Sequence, residues 1–109
     1  MKTKITRLNE LLVRELSLLL HRDYREECSL LTITRVSLAP DLQNCTVFFS
    51  TPRDDIREDA LRFLQKNCGK IKQYLSTRIR MKYFPALRFS YDKAMEKELR
   101  VQDVLNSLS

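Results

Sequence analysis

Ala60-Leu61-Arg62-Phe63-Leu64-Gln65-Lys66-Asn67-Cys68-Gly69-Lys70-Ile71-Lys72-Gln73-Tyr74-Leu75-Ser76-Thr77-Arg78-Ile79 carries the organisation of the chain. Ala60, Phe63 and Leu64 continue a helical stripe that begins at Ile56, and Ile71, Tyr74, Leu75 and Ile79 resume it. Between the two stripes stands Gly69, the only glycine in 109 residues. The spacing predicts two nearly continuous helices joined at a glycine break, with Phe84-Pro85 ending the second. One glycine cannot build a glycine-rich phosphate loop, so the P-loop and dinucleotide-binding folds are excluded.

Working outward, Ile5, Leu8, Leu12, Leu16 and Leu19 step by three and four and predict an amphipathic helix over about residues 3–22. The lone histidine, His21, falls near its end and reads as a capping or surface residue, with no nucleophile motif around it. Leu31 to Leu38 is rich in β-branched residues and reads as a strand. Its alternation changes phase: Leu31 and Ile33 are expected on one face and Val36 and Leu38 on the other, with a bulge near Arg35. Ala39 to Asn44 has turn chemistry, and Cys45 to Ser50 reads as a second, antiparallel strand. Asp54 and Asp55 suit a helix N-terminus, Leu87 to Tyr91 alternates as a third strand, and a last helical segment is expected over residues 93–109. The order α-β-β-α-α-β-α, with only three strands, implies a two-layer α+β domain with helices on one face of a small sheet. Residues 1–109 are read as a single domain with a core over about 3–92.

Charge is distributed unevenly. Arg62, Lys66, Lys70, Lys72, Arg78, Arg80, Lys82 and Arg88 lie between Ala60 and Tyr91, where no Asp or Glu occurs. The net charge of +6 therefore belongs to this segment, since the rest of the chain is slightly acidic. A field of one sign points to a polyanion, nucleic acid first and an acidic membrane surface second. No apolar run exceeds three residues, so a membrane span is not expected, and Arg7, Asn9, Glu10 and Arg14 break any signal-peptide core. The chain is expected in the cytoplasm. Cys28, Cys45 and Cys68 stand 17 and 23 residues apart without a C-x-x-C pair, so neither a disulfide framework nor a metal site is expected.

The helix–glycine–helix element resembles the RNA-gripping element of KH domains, where backbone approaches a short run of nucleotides. The chemistry needs a residue without Cβ, free N–H groups at a helix start, and nearby cations. Gly69, the helix beginning near Lys70, and Lys66, Lys70 and Lys72 supply them. On a helical projection of the second helix, Lys70, Lys72 and Arg80 share a polar side with Gln73, Ser76 and Thr77. Arg78 and Lys82 fall inside the apolar arc and are expected to reach out from the core edge. Tyr83 and Phe84 could stack on bases, but core packing is the expectation for both. The candidate RNA-binding residues are thus Lys66, Asn67, Gly69, Lys70, Lys72 and Arg80, with Arg62, Arg78 and Lys82 as further cations. No catalytic or metal-binding residue is expected. Asp54, Asp55, Glu58 and Asp59 cluster without a histidine and read as an acidic first turn.

Arg80-Met81-Lys82-Tyr83-Phe84-Pro85-Ala86-Leu87-Arg88-Phe89-Ser90-Tyr91-Asp92 resembles the R-x-[apolar]-x-P-x-L-x-F-x-Y-D stretch of the ribosome-binding factor A family. The resemblance extends to Arg14-Glu15-Leu16, to the first strand and to Asp41-Leu42. It implies a KH-like fold of type II, with a kink between the second and third helices. It implies a non-enzymatic factor that binds 16S rRNA on the immature 30S subunit, acts in late 16S rRNA processing and supports growth at low temperature. Neither cofactor nor small-molecule ligand is expected, and a monomer is. Where the family has Ala-x-Gly at the break, this chain has Asn67-Cys68-Gly69. A KH-like module acting on a non-ribosomal RNA is the alternative, and charge and fold alone do not separate the two. A domain whose basic face binds an acidic protein is a further reading.

Overall fold

The computed structural model describes residues 3–25 and 31–93. The first helix, α1 (Lys4–Asp23), starts where Thr3 Oγ1 accepts the Thr6 N–H at 3.1 Å. It ends with His21 and Arg22 in the last turn, where cations suit the negative end of the dipole. The strands β1 (Thr32–Leu38) and β2 (Asn44–Ser50) pair antiparallel, and β3 (Ala86–Tyr91) adds parallel to β2, so β2 is central in a mixed sheet. A parallel pair needs a long crossover. A 3₁₀ turn (Asp54–Ile56), α2 (Arg57–Lys66) and α3 (Cys68–Arg78) form it. This is the two-layer α+β arrangement that the residue pattern predicts. The last expected helix, over residues 93–109, lies almost wholly outside the described residues.

The core lies between sheet and helices. Leu12, Leu16, Leu19 and Leu20 of α1, Cys45, Val47 and Phe49 of β2, Leu64 of α2, and Ile71 and Leu75 of α3 are buried there. Asn9 Oδ1 accepts the Leu38 N–H at 3.0 Å and ties α1 to the end of β1. In β1 the expected bulge is present, but its effect is the reverse of the expectation. Ile33 pairs with Phe49 and Arg35 with Phe48, which leaves Thr34 as the extra residue. That single insertion restores phase, so Leu31, Ile33, Val36 and Leu38 all join one core and do not divide between faces.

The second helix of the pair is shorter than the sequence predicts. It stops at Arg78, and Ile79 is buried and extended. The Ser76 and Thr77 hydroxyls donate to the Gln73 and Tyr74 carbonyls at 2.7 Å each. Hydroxyls bonded this way compete with the helical ladder and favour its ending. Arg80, Met81 and Lys82 therefore belong to the α3–β3 loop and lie on no helix face.

Cys45 is buried and its thiol is pushed up to about 11 by desolvation. The thiolate is the reactive form. Cys45 is expected to resist iodoacetamide at pH 8 in the folded protein, and rapid alkylation under native conditions would contradict this packing. Because the folded value lies above the ordinary 9.0, this contribution to stability holds below about pH 9 and fades as pH rises toward 11.

Candidate nucleic-acid interface

The break between the two helices is present, and its pivot is Asn67 rather than Gly69. Asn67 leaves helical geometry at φ −97°, ψ 8°, and its side-chain Nδ2 donates back to the Phe63 carbonyl at 2.9 Å. That bond turns the side chain back along α2, and α3 begins with no side-chain cap. The N–H groups of its first turn are left for solvent or a ligand. Gly69 lies in that turn, exposed and without positive φ, so it does not use the left-handed conformation open to glycine. A Cβ built at Gly69 meets nothing within 4 Å. The fold itself does not require glycine here.

Lys66 and Lys70 are exposed on either side of this turn, and Lys72 is half-buried beside it. The chain thus brings Lys66, Asn67, Gly69, Lys70 and Lys72 together by sequence proximity across one helix junction. Asn67 faces inward to its own helix, so it shapes the site by bending the chain.

The remaining candidates go elsewhere. Arg62 lies within 4.0 Å of Glu58 and 3.9 Å of Asp59 on its own helix, so the segment that lacks acids in sequence is partly balanced in space. Arg78 faces Glu15 of α1 at 3.5 Å and lies 5.8 Å from the centre of the Tyr74 ring. It reaches from the core edge, as expected, but its charge is matched. Arg80 and Lys82 stand exposed on the α3–β3 loop, past the end of the helix that carries Lys70. Among the described residues, Lys66, Lys70, Lys72, Arg80 and Lys82 have no carboxylate partner.

Two features escaped the sequence reading. Tyr83 is 78% exposed, although core packing is expected for it; Phe84 and Pro85 take that role instead. Arg35 lies 3.9 Å over the Phe48 ring, on the face of the sheet opposite the core. Cross-strand register, which places these two opposite each other, gives no signal in a single strand.

A model of the ribosome-binding factor A family matches residues 4–105. The ribosome-binding factor A of Opitutus terrae is 34% identical over 109 residues, covering 99% of this chain and 89% of that protein. That of Prochlorococcus marinus (strain NATL1A) is 37% identical over 109 residues, covering 96% and 89%. The crystal structure of Thermus thermophilus ribosome-binding factor A superposes with a TM-score of 0.74 at 27% identity, covering 82% of this chain and 97% of that one. A homology model of the Thermus thermophilus protein, fitted into a cryo-electron-microscopy map of its 30S complex, gives 0.60 at 29%, covering 85% and 97%.

Proposed function

The chain belongs to the ribosome-binding factor A family, and from that premise we propose that it binds 16S rRNA on immature 30S subunits as an assembly factor. The observation that supports this most is the α2–α3 junction, an uncapped helix start with Gly69 exposed and three lysines around it that have no carboxylate partner among the described residues. Backbone N–H groups, the positive helix end and Lys66, Lys70 and Lys72 suit a phosphate backbone. The proposed role is in late 16S rRNA maturation in the cytoplasm, exerted by a monomer without cofactor. It is exerted by occupancy: a ligand shifts a conformational equilibrium by its differential affinity for the two states. Holding one rRNA conformation requires no chemical step, and the sequence offers no nucleophile beside a base. In sucrose gradients the protein should migrate with free 30S particles. Recovery only with 70S, or outside all ribosomal fractions, would overturn the reading.

Gly69→Ala separates fold from contact. Alanine is favoured over glycine in a helix by up to about 1 kcal/mol, and the added Cβ meets no part of the fold. The thermal midpoint is expected to stay or rise by a few degrees. Affinity for 30S particles is expected to fall, because the methyl group stands where rRNA backbone would approach. Unchanged affinity in a pelleting assay would remove Gly69 from the contact surface.

A further inference from the structure

A cleft of about 320 Å³ opens between the start of α1, the β1–β2 turn and the α3–β3 loop. We infer that it holds one unstacked base of single-stranded RNA, with preference for a base that carries an exocyclic amino group. This rests on the RNA-binding reading above but concerns a different part of the molecule from the α2–α3 junction. The volume is at the small end of the range for small-molecule sites, about 300–1,000 Å³.

Three properties of the cleft converge on a nucleotide. Its apolar lining comes from Leu8, Leu42 and Met81, all half-buried against the core. Lys4, Arg80 and Lys82 also line it, are exposed, and lack carboxylate partners among the described residues. Tyr83 completes the wall with an exposed ring, and Lys82 Nζ lies 5.7 Å from its centre. Cations ask for an anion, and an apolar lining with an exposed aromatic ring asks for a flat ring. RNA supplies both in one residue when a base is splayed from the strand.

Asp41 and Leu42 carry the inference further. Asp41 contributes a carboxylate to a cleft otherwise lined by positive charge. One oxygen accepts the Gln43 N–H at 3.0 Å, which fixes the group in place. The other can accept from a base amino group, the pairing a carboxylate makes with cytosine N4. Leu42 is the only described non-glycine residue with positive φ, at 62°. Glycine or asparagine would occupy this turn at lower cost. The turn is pinned nonetheless: the Leu42 N–H donates to the Ala39 carbonyl at 2.9 Å, and the Ala39 N–H to the Asn44 carbonyl at 2.8 Å. Strain of this kind gathers at ligand clamps. Here it sets a leucine side chain against the cleft.

The test titrates the full-length protein, observed by NMR, with the pentanucleotides UUUUU and UUCUU. Resonances of Leu42, Met81 and Tyr83 should move, and UUCUU should bind about three- to tenfold tighter, the worth of one hydrogen bond. Tyr83→Ala should weaken UUCUU about tenfold while leaving the salt dependence of binding unchanged, since it removes stacking and not charge. Asp41→Asn should abolish the preference for cytosine. Shifts confined to residues 67–72, or an unaffected Tyr83→Ala, would overturn the pocket. So would an equal response of the cleft to a poly-glutamate peptide, which would mark it as a surface for acidic protein. The two readings fail separately. If the protein does not migrate with 30S but UUCUU still moves the cleft resonances, the ribosomal reading falls and the pocket stands. If 30S binding is intact and Tyr83→Ala changes nothing with UUCUU, the pocket falls alone.

Discussion

Replacing Lys66, Lys70 and Lys72 with glutamate is expected to lower affinity for 30S particles by about 100-fold or more near 0.15 M salt. Each lysine that leaves a phosphate reduces the slope of log affinity against log salt by roughly 0.7–0.9, so the triple variant should lose about two units or more. Reversal adds repulsion to that loss. The fold should survive, because Lys66 and Lys70 are exposed and Lys72 half-buried, with no ion pair broken among the described residues. Surface changes of this sort stay within about 0.5 kcal/mol each. Arg62→Gln is the internal control. Glu58 and Asp59 already draw on that charge, so its removal should cost far less binding. An unchanged salt slope in the triple variant would place the phosphate contacts elsewhere on the molecule.

Much of this site is legible because it is local. Helical spacing on both sides of residues 67–69 announces a junction, and the lysines around it need no tertiary contact to come together. What the sequence does not reveal is which residue bends the chain. Glycine attracts the assignment by its freedom, yet Asn67 makes the turn by bonding its amide to the Phe63 carbonyl. The reach of α3 is also misjudged, because apolar spacing continues through Ile79 and Met81 after the hydroxyls of Ser76 and Thr77 have favoured an end to the helix. That error places Arg80 and Lys82 on a helix face when they border a cleft. The cleft is invisible in the sequence for a plain reason. Lys4, Asp41 and Arg80 are far apart in the chain and meet only through the sheet and α1.

The stretch that most resembles the family is legible for another cause. Pro85 and Leu87 are buried, and the carboxylate of Asp92 accepts the Thr34 hydroxyl at 2.6 Å, with Arg35 Nε at 3.7 Å. These residues lock the end of β3 to the bulge of β1 across the central strand. Their pattern is set by packing, so it identifies the fold more sharply than it identifies the RNA-binding surface.

Phe49→Ala is expected to have the largest effect on stability. Phe49 lies on the central strand, opposite Ile33 of β1 and Tyr91 of β3, and is fully buried. Its ring meets the Tyr91 ring edge-on with centres 5.8 Å apart, and its carbonyl accepts the Asp92 N–H at 2.8 Å. Truncating a core phenylalanine costs about 3–5 kcal/mol, a large share of the roughly 5–15 kcal/mol that holds a domain folded. At about 4–8 °C per kcal/mol for a domain near this size, the melting temperature should fall by 12 °C or more. Phe48→Ala, one residue away on the opposite face under Arg35, should cost much less, because Phe48 is only half-buried. Similar melting curves for the two variants would show that the core does not centre on β2. The comparison also separates two ways of losing function. The α2–α3 junction belongs to the crossover from β2 to β3, so unfolding of the sheet removes the lysines from their arrangement. Phe49→Ala should therefore lose 30S binding as temperature rises through its lowered midpoint and regain it on cooling. The glutamate variant should bind poorly at every temperature, since its defect is in charge and its fold is intact.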